Sequence, residues 1–332
     1  MTPQPSFAAL LEGFFTQRLI QQRQASRHTV ASYRDTFRLL LQFAQQRLHK
    51  APATLALEDI DAPLVTAFLN ELEQVRGVTA RTRNLRLTAV HSFFHYAAFE
   101  APASAAQIQR VLAIPAKRFT RPLVPFLSRP EVDALLAAPD QGSWSGRRDH
   151  ALILLAVQTG LRLSELTSLR RADLHFGAGA HVRVIGKGRK ERCTPLSKST
   201  RAVLTAWVRE PLRAEDQPLF PNARGGRLSA HGVHYLLDKH VAVAAGQCSS
   251  LKNKRVSPHV LRHTTAMDLL QAGVDCSVIA LWLGHESIET TQIYLDADLA
   301  LKEQVLDKTI PPNGKPGRYR PDDRLLAFLR DL

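Results

Sequence analysis

In the run Thr159-Gly160-Leu161-Arg162-Leu163-Ser164-Glu165-Leu166, an arginine sits among leucines just after a helix-ending glycine. A guanidinium drawn out of water needs an anionic partner, and Glu165, one helical turn on, is placed to hold Arg162 in position. Farther along, Pro258-His259-Val260-Leu261-Arg262-His263 sets an imidazole and a guanidinium three residues apart. On a helix these lie about 60° apart and share one face, so Arg262 can clamp a phosphate while His259 donates a hydrogen bond or moves a proton. His263 points elsewhere on that helix and reads as structural. Leu283-Gly284-His285 follows, and Thr290-Thr291-Gln292-Ile293-Tyr294 places a phenol nine residues after His285. Lys187 lies in the tight turn Gly186-Lys187-Gly188-Arg189-Lys190, where Lys190 is its rival. Taken one at a time, these have ordinary readings as a surface Arg–Glu pair, a core tyrosine or a solvated turn. In this order and at these intervals the set is improbable by chance.

The elements that must position these residues belong to a chain of 332 residues, long enough for two domains, with 45% hydrophobic residues to build their cores. The net charge of +14, from 44 Lys+Arg against 30 Asp+Glu, points to a polyanionic partner, because neutralised phosphates release condensed counterions. Cys193, Cys248 and Cys276 are odd in number and show no zinc spacing, which excludes a disulfide framework or a zinc site. No long apolar run and no basic-then-apolar start are present, so no membrane partner is expected. The expected location is a bacterial cytoplasm, associated with the nucleoid.

Apolar residues recur at three- and four-residue steps through Phe7 to Ile20, Tyr33 to Phe43, Val65 to Leu72 and Leu85 to Tyr96, which predicts an all-helical region over 1–113. Residues 114–126 carry Pro115, Pro122 and Pro125 among Lys117, Arg118 and Arg121, and read as a basic linker. Ser128 with Glu131 three residues later marks a helix start. His181 to Ile185 and Glu191 to Leu196 read as a small antiparallel hairpin around Lys187, with helices resuming from about Ser229. The fold class is therefore mainly α with a small antiparallel hairpin or sheet, in two domains. A second domain over 127–310 is expected, then a tail over 311–332.

From Leu127 to Tyr294 the chain resembles the catalytic domain of the tyrosine recombinase, or phage integrase, family. The family pattern falls on Arg162, Lys187, His259, Arg262, His285 and Tyr294, with Glu165 in support, and the Thr290-Thr291 pair before the tyrosine also matches. The helical region before the linker is similar to the family's core-binding domain, a SAM-like fold that closes with the catalytic domain into a C-shaped clamp on DNA. There Arg81, Arg83 and Arg86, at a helix start, are candidates for phosphate contacts, as are Lys117, Arg118 and Arg121 in the linker. The organisation resembles the Xer-like and transposon-borne members.

What the resemblance implies is site-specific recombination of double-stranded DNA without metal, ATP or cofactor. Tyr294 attacks the phosphodiester, the arginines and histidines stabilise the added charge, His259 is the candidate base, and Lys187 protonates the leaving 5′ oxygen. The 3′-phosphotyrosine preserves the bond energy, so a partner's 5′-hydroxyl can reverse the attack. Strand exchange then passes through a Holliday junction within a tetramer on two DNA sites, helped by accessory proteins. The segment Leu299 to Ile310, or the tail, is expected to dock on a neighbouring subunit. Two rival readings are a type IB topoisomerase, which reseals the same strand, and a noncatalytic DNA-binding protein.

Overall fold

The computed structural model describes residues 6–120, 123–186, 190–210, 217–285 and 287–297. Two compact units divide it, Met1–Arg121 and Pro122–Leu332.

In the first unit every described regular element is helical. Ser6 accepts from the Ala9 amide to start α1 (Phe7–Gly13), which runs into a π-helical stretch, Phe14–Gln22. Ser26, Asp61 and Thr79 cap α2 (Arg27–Leu48), α3 (Ala62–Gln74) and α4 (Ala80–Glu100) in the same way, each side-chain oxygen satisfying an orphan amide. A short α5 (Ala105–Leu112), missed in the sequence, closes the unit. The core is aromatic. Phe93 lies 5.3–5.6 Å, between ring centroids, from Phe7, Phe14, Phe37 and Phe94. Each such side chain contributes about 1.5–3 kcal/mol by leaving water.

The second unit is mainly α with a small antiparallel sheet. Ser128 starts α6 (Arg129–Ala137), its amide donating to Glu131 Oε2 at 2.8 Å. After it come α7 (Trp144–Thr159) and α8 (Leu163–Ser168). The sheet follows, in order β1 (Leu174–His175), β2 (His181–Ile185), β3 (Glu191–Pro195), all antiparallel, with Val184 opposite Arg192. Val182 and Val184 are buried while Arg183 and Ile185 face out, which is the alternation that marked this strand in the sequence. At two residues, β1 is too short to show alternation. Five helices complete the described unit: α9 (Lys198–Val208), α10 (Ala230–Ala244), α11 (Pro258–Gln271), α12 (Cys276–Leu283) and α13 (Glu289–Ala297). α9 was also missed, because its apolar positions are interrupted by Ser, Thr and Arg.

α7 and α11 form the centre of this unit, and α7 buries Ala151, Leu152, Ile153, Leu155 and Ala156, apolar on more than one face. Between the units, Ile114 is buried in the first unit's core, and Val124 and Phe126 pack on a cluster of Ala266, Met267, Leu283 and Tyr294 in the second. The Leu127 amide donates to Thr264 Oγ1 at 2.9 Å. Arg121, Lys187 and residues 298–332, including the segment from Leu299 and the tail expected to dock on a neighbour, lie outside the described residues.

Candidate active site

Three helix ends meet at one place. α7 stops at Gly160, whose φ of 63° is left-handed and suits glycine. A Cβ there would also come within 2.5 Å of Leu283 Cδ2 and 3.2 Å of Thr265, so α7 approaches α11 and α12 as closely as it does because position 160 has no side chain. α12 ends the same way at Gly284, with φ 66°. The carbonyls left free at these ends carry the negative end of the helix dipole, and the two predicted arginines bond to them. Arg262, buried in α11, donates to Gly160 O at 2.6 Å and to Leu283 O at 2.7 Å. Arg162, at the start of α8, donates to Gly284 O at 2.7 Å.

Glu165 is the only carboxylate among the described residues bonded to these guanidinium groups. It accepts from Arg162 Nη1 at 3.0 Å and the Arg162 amide at 2.7 Å. A third arginine, Arg192 on β3, grips both its oxygens at 2.9 and 2.8 Å. Sequence reasoning did not find Arg192. Its signal was its place two residues beyond Lys190 on the strand that leaves the lysine turn. Burial pushes Glu165 up, but Arg192, the Arg162 amide and the charges of both arginines outweigh it and hold the carboxyl below its usual range. Three guanidinium groups around one carboxylate leave a surplus of positive charge. Burial, then repulsion from Arg162, brings Arg262 down to about 10, and it remains a cation at neutral pH.

The histidines and the tyrosine surround this cation cluster. His285 follows Gly284 and lies 2.8 Å, through Nδ1, from Thr291 Oγ1. Its ring is stacked on Tyr294 with centroids 6.4 Å apart. Burial, then Arg262 and Arg162, takes His285 down to about 4, so it is neutral at pH 7. His259 is exposed in the first turn of α11, held below its usual value by partial burial and then by Arg262 and Arg162. Tyr294 is buried, only 1% exposed, and its hydroxyl faces His263, with Nδ1 to Oη at 3.0 Å. The sequence reading turned His263 away from the site. A histidine four residues after His259 lies on the same helix face one turn deeper, so the periodicity that paired His259 with Arg262 was also the signal for His263. Lys190 is exposed, its carbonyl accepting from the Gly186 amide at 2.8 Å.

The comparisons agree with this geometry. Residues 125–300 match the model of the phage integrase family, and residues 13–101 match its N-terminal SAM-like domain. The chain belongs to the phage integrase family, the tyrosine recombinases. A Sinorhizobium fredii protein named as an integrase/recombinase is 68% identical to this recombinase over 332 residues, 100% of both chains. Tyrosine recombinase XerC of Pelobacter propionicus is 34% identical over 306 residues, 91% of this chain and 95% of that one. Among solved structures, the XerH recombinase in a post-cleavage complex with palindromic difH substrate aligns with a TM-score of 0.67 at 21% identity, over 85% of this chain and 80% of that one. A lambda integrase dimer on a core site aligns at 0.63 and 19%, over 88% and 78%. These two likenesses are of fold. The recombinase is thus an enzyme of the class that breaks and rejoins DNA. Among its described residues no helix is long and apolar enough to cross a membrane.

The recombinase's first-unit candidates separate. Arg83 is buried, donates to Pro115 O at 3.1 Å and lies 3.8 Å from Glu73. This corrects its assignment as a phosphate contact, because its guanidinium is spent inside the unit. Arg86 donates to Ser32 O at 3.2 Å and Thr36 Oγ1 at 3.0 Å, which ties α4 to α2. Lys117 pairs with Glu73 at 2.6 Å, and its backbone is held on both sides by Asn84. Arg81 and Arg118 are exposed.

Proposed function

We propose that the chain is a site-specific DNA recombinase in which Tyr294 is the nucleophile. The observation that carries this reading is the meeting of Arg162 and Arg262 beside Tyr294 and His285, with His259 next to both arginines and one bonded carboxylate among three guanidinium groups. A phosphodiester supplies the missing anion. In-line attack places more charge on its nonbridging oxygens, and donors already fixed on helix ends meet that charge without reorganising. His259, exposed beside Arg262, donates to the same phosphate. The Tyr294 oxygen bonds to phosphorus as its phenol proton passes to a histidine of the site, the bond to the 5′ oxygen breaks, and Lys187 protonates the leaving oxygen, with Lys190 as its rival in the same turn. The product is a 3′-phosphotyrosine and a free 5′-hydroxyl. A 5′-hydroxyl from a second duplex then reverses the attack, and two such rounds pass through a Holliday junction in a tetramer on two sites. Arg81 and Arg118 contact phosphates of the bound duplex, and the chain after Tyr294 docks on a neighbouring subunit.

The test uses duplex DNA selected by binding from a random pool, then nicked so that cleavage is trapped. Wild type should form an SDS-resistant adduct at a 3′ phosphate, and Tyr294→Phe should bind the same DNA without forming it. An adduct from both proteins makes Tyr294 the wrong nucleophile, and binding without an adduct from either favours a noncatalytic role.

A further inference from the structure

In-line attack by Tyr294 requires that its phenol proton leave, because burial raises that phenol's pKa more than Arg262 and Arg162 lower it. A buried hydroxyl also needs an acceptor, and among the described residues the bond recorded at Tyr294 Oη is to Nδ1 of His263, at 3.0 Å. The two rings meet edge to face with centroids 5.6 Å apart. His259, the residue that the sequence suggests for this task, has its ring 6.5 Å from that of His263, at the exposed end of α11.

We infer that His263 is the catalytic base of the cleavage step, accepting the Tyr294 proton on Nδ1 as the tyrosine oxygen bonds to phosphorus. This deepens the covalent reading above and rests on it.

Three features support the role. The residue touches the reacting atom and is half-buried on α11, a helix whose next residues, Thr264 and Thr265, bond to α11's own carbonyls and, through Thr265, to Val157 O on α7 at 2.6 Å. The base is thus mounted on the central helix pair and not on a loop. Its ring is neutral at pH 7, since burial first, then His259 and Arg262, hold it at about 4. With the ring proton on Nε2, Nδ1 has a free lone pair for the phenol. A ring with so low a pKa is a weak base in the empty site, and the phosphate changes that: its negative charge offsets Arg262 and favours the imidazolium. Proton transfer concerted with O–P bond formation therefore never requires a free phenolate. In the reverse step, when a 5′-hydroxyl attacks the phosphotyrosine, the same nitrogen returns the proton to the departing Tyr294 oxygen. The proton count closes: one leaves Tyr294 for His263, and one leaves Lys187 for the 5′ oxygen.

The experiment compares adduct formation in single turnover by wild type, His263→Asn, His263→Ala and Lys187→Ala, on nicked DNA with either oxygen or sulfur as the bridging 5′ atom. Asn keeps a hydrogen-bonding atom near the place of Nδ1 but has no basicity. Thiolate leaves without a proton, so the sulfur substrate removes the need for an acid only. His263→Asn and His263→Ala should bind DNA as wild type does and form adduct about 10²–10⁴-fold more slowly on both substrates, the usual range for a lost acid–base group. Lys187→Ala should recover on sulfur. Difluorotyrosine at position 294, a more acidic phenol, should restore His263→Asn by tenfold or more, a gain that misfolding would not allow. Adduct at the wild-type rate from His263→Asn overturns the base role, since a hydrogen bond alone then suffices, and so does recovery of that variant on sulfur. If wild type itself forms no adduct, the covalent reading has failed and the role of His263 fails with it.

Discussion

The two units each bury an arginine in a helical core, and they use it in opposite ways. Arg83 in α4 meets the Pro115 carbonyl and the Glu73 carboxylate, which Lys117 shares, so its charge is answered within the unit and the chain after α5 is fastened to α4. Arg262 in α11 meets only carbonyls, at Gly160 and Leu283, and the nearest carboxylate, Glu165, is already divided between Arg162 and Arg192. Dipoles orient a guanidinium without neutralising it. The difference teaches that burial alone does not make an arginine structural or catalytic; what decides is whether its counter-charge is built in or left for a ligand to bring.

Removing Glu165, the carboxylate bonded to the guanidinium groups of the candidate site, should give the largest effect. Glu165→Ala leaves Arg162 and Arg192 facing one another with Arg262 close by, and loss of one partner from a buried network costs about 3–5 kcal/mol. Thermal unfolding should show it, and Glu165→Gln should recover part of the loss through its amide oxygen. Unchanged unfolding in Glu165→Ala would mean that the helix-end carbonyls suffice to hold all three arginines.

Acid should separate the units next. Glu165 has a lowered pKa, so its contribution is present above the unfolded value of about 4.3 and is lost as pH falls through the folded one. His263 and His285 are held at about 4 in the folded chain, so below about 6.5 the unfolded state takes up more protons than the folded state, and stability falls with pH from there. The second unit should therefore lose stability continuously from pH 7 to 4. In the first unit, burial first holds His91 low, and a smaller acid loss is expected. Hydrogen exchange read separately over residues 6–120 and 123–297 checks this, and equal acid losses in both would contradict it.

The smallest effects belong to the first unit's arginines and divide by burial. Arg83→Ala should lower stability by about 1–3 kcal/mol, the cost of leaving buried partners unpaired, with no change in the rate of adduct formation on saturating DNA. Arg81→Ala should leave unfolding unchanged and reduce the salt slope of DNA binding by about 1, the loss of one phosphate contact. If the two variants exchange these phenotypes, the counter-charge rule fails in this unit.

Family, fold class and the helix ends were legible in the sequence because they rest on local rules. Gly160 and Gly284 occupy left-handed caps that favour glycine, Glu131 satisfies the Ser128 amide, and Val182 and Val184 alternate with exposed neighbours. Arg162, Arg262, His285 and Tyr294 could be singled out together because the proposed phosphate chemistry calls for those residue types in that order. Which atom each meets was decided only by the tertiary structure. Helical periodicity places Arg83 on a face of α4 and His263 on a face of α11, but it does not say that Glu73 and Pro115 wait opposite the first, or the Tyr294 hydroxyl opposite the second. Arg192 became visible only once the register of β2 and β3 carried it to Glu165. A side chain's direction follows from its own helix or strand, whereas its partner follows from packing between segments distant in the chain.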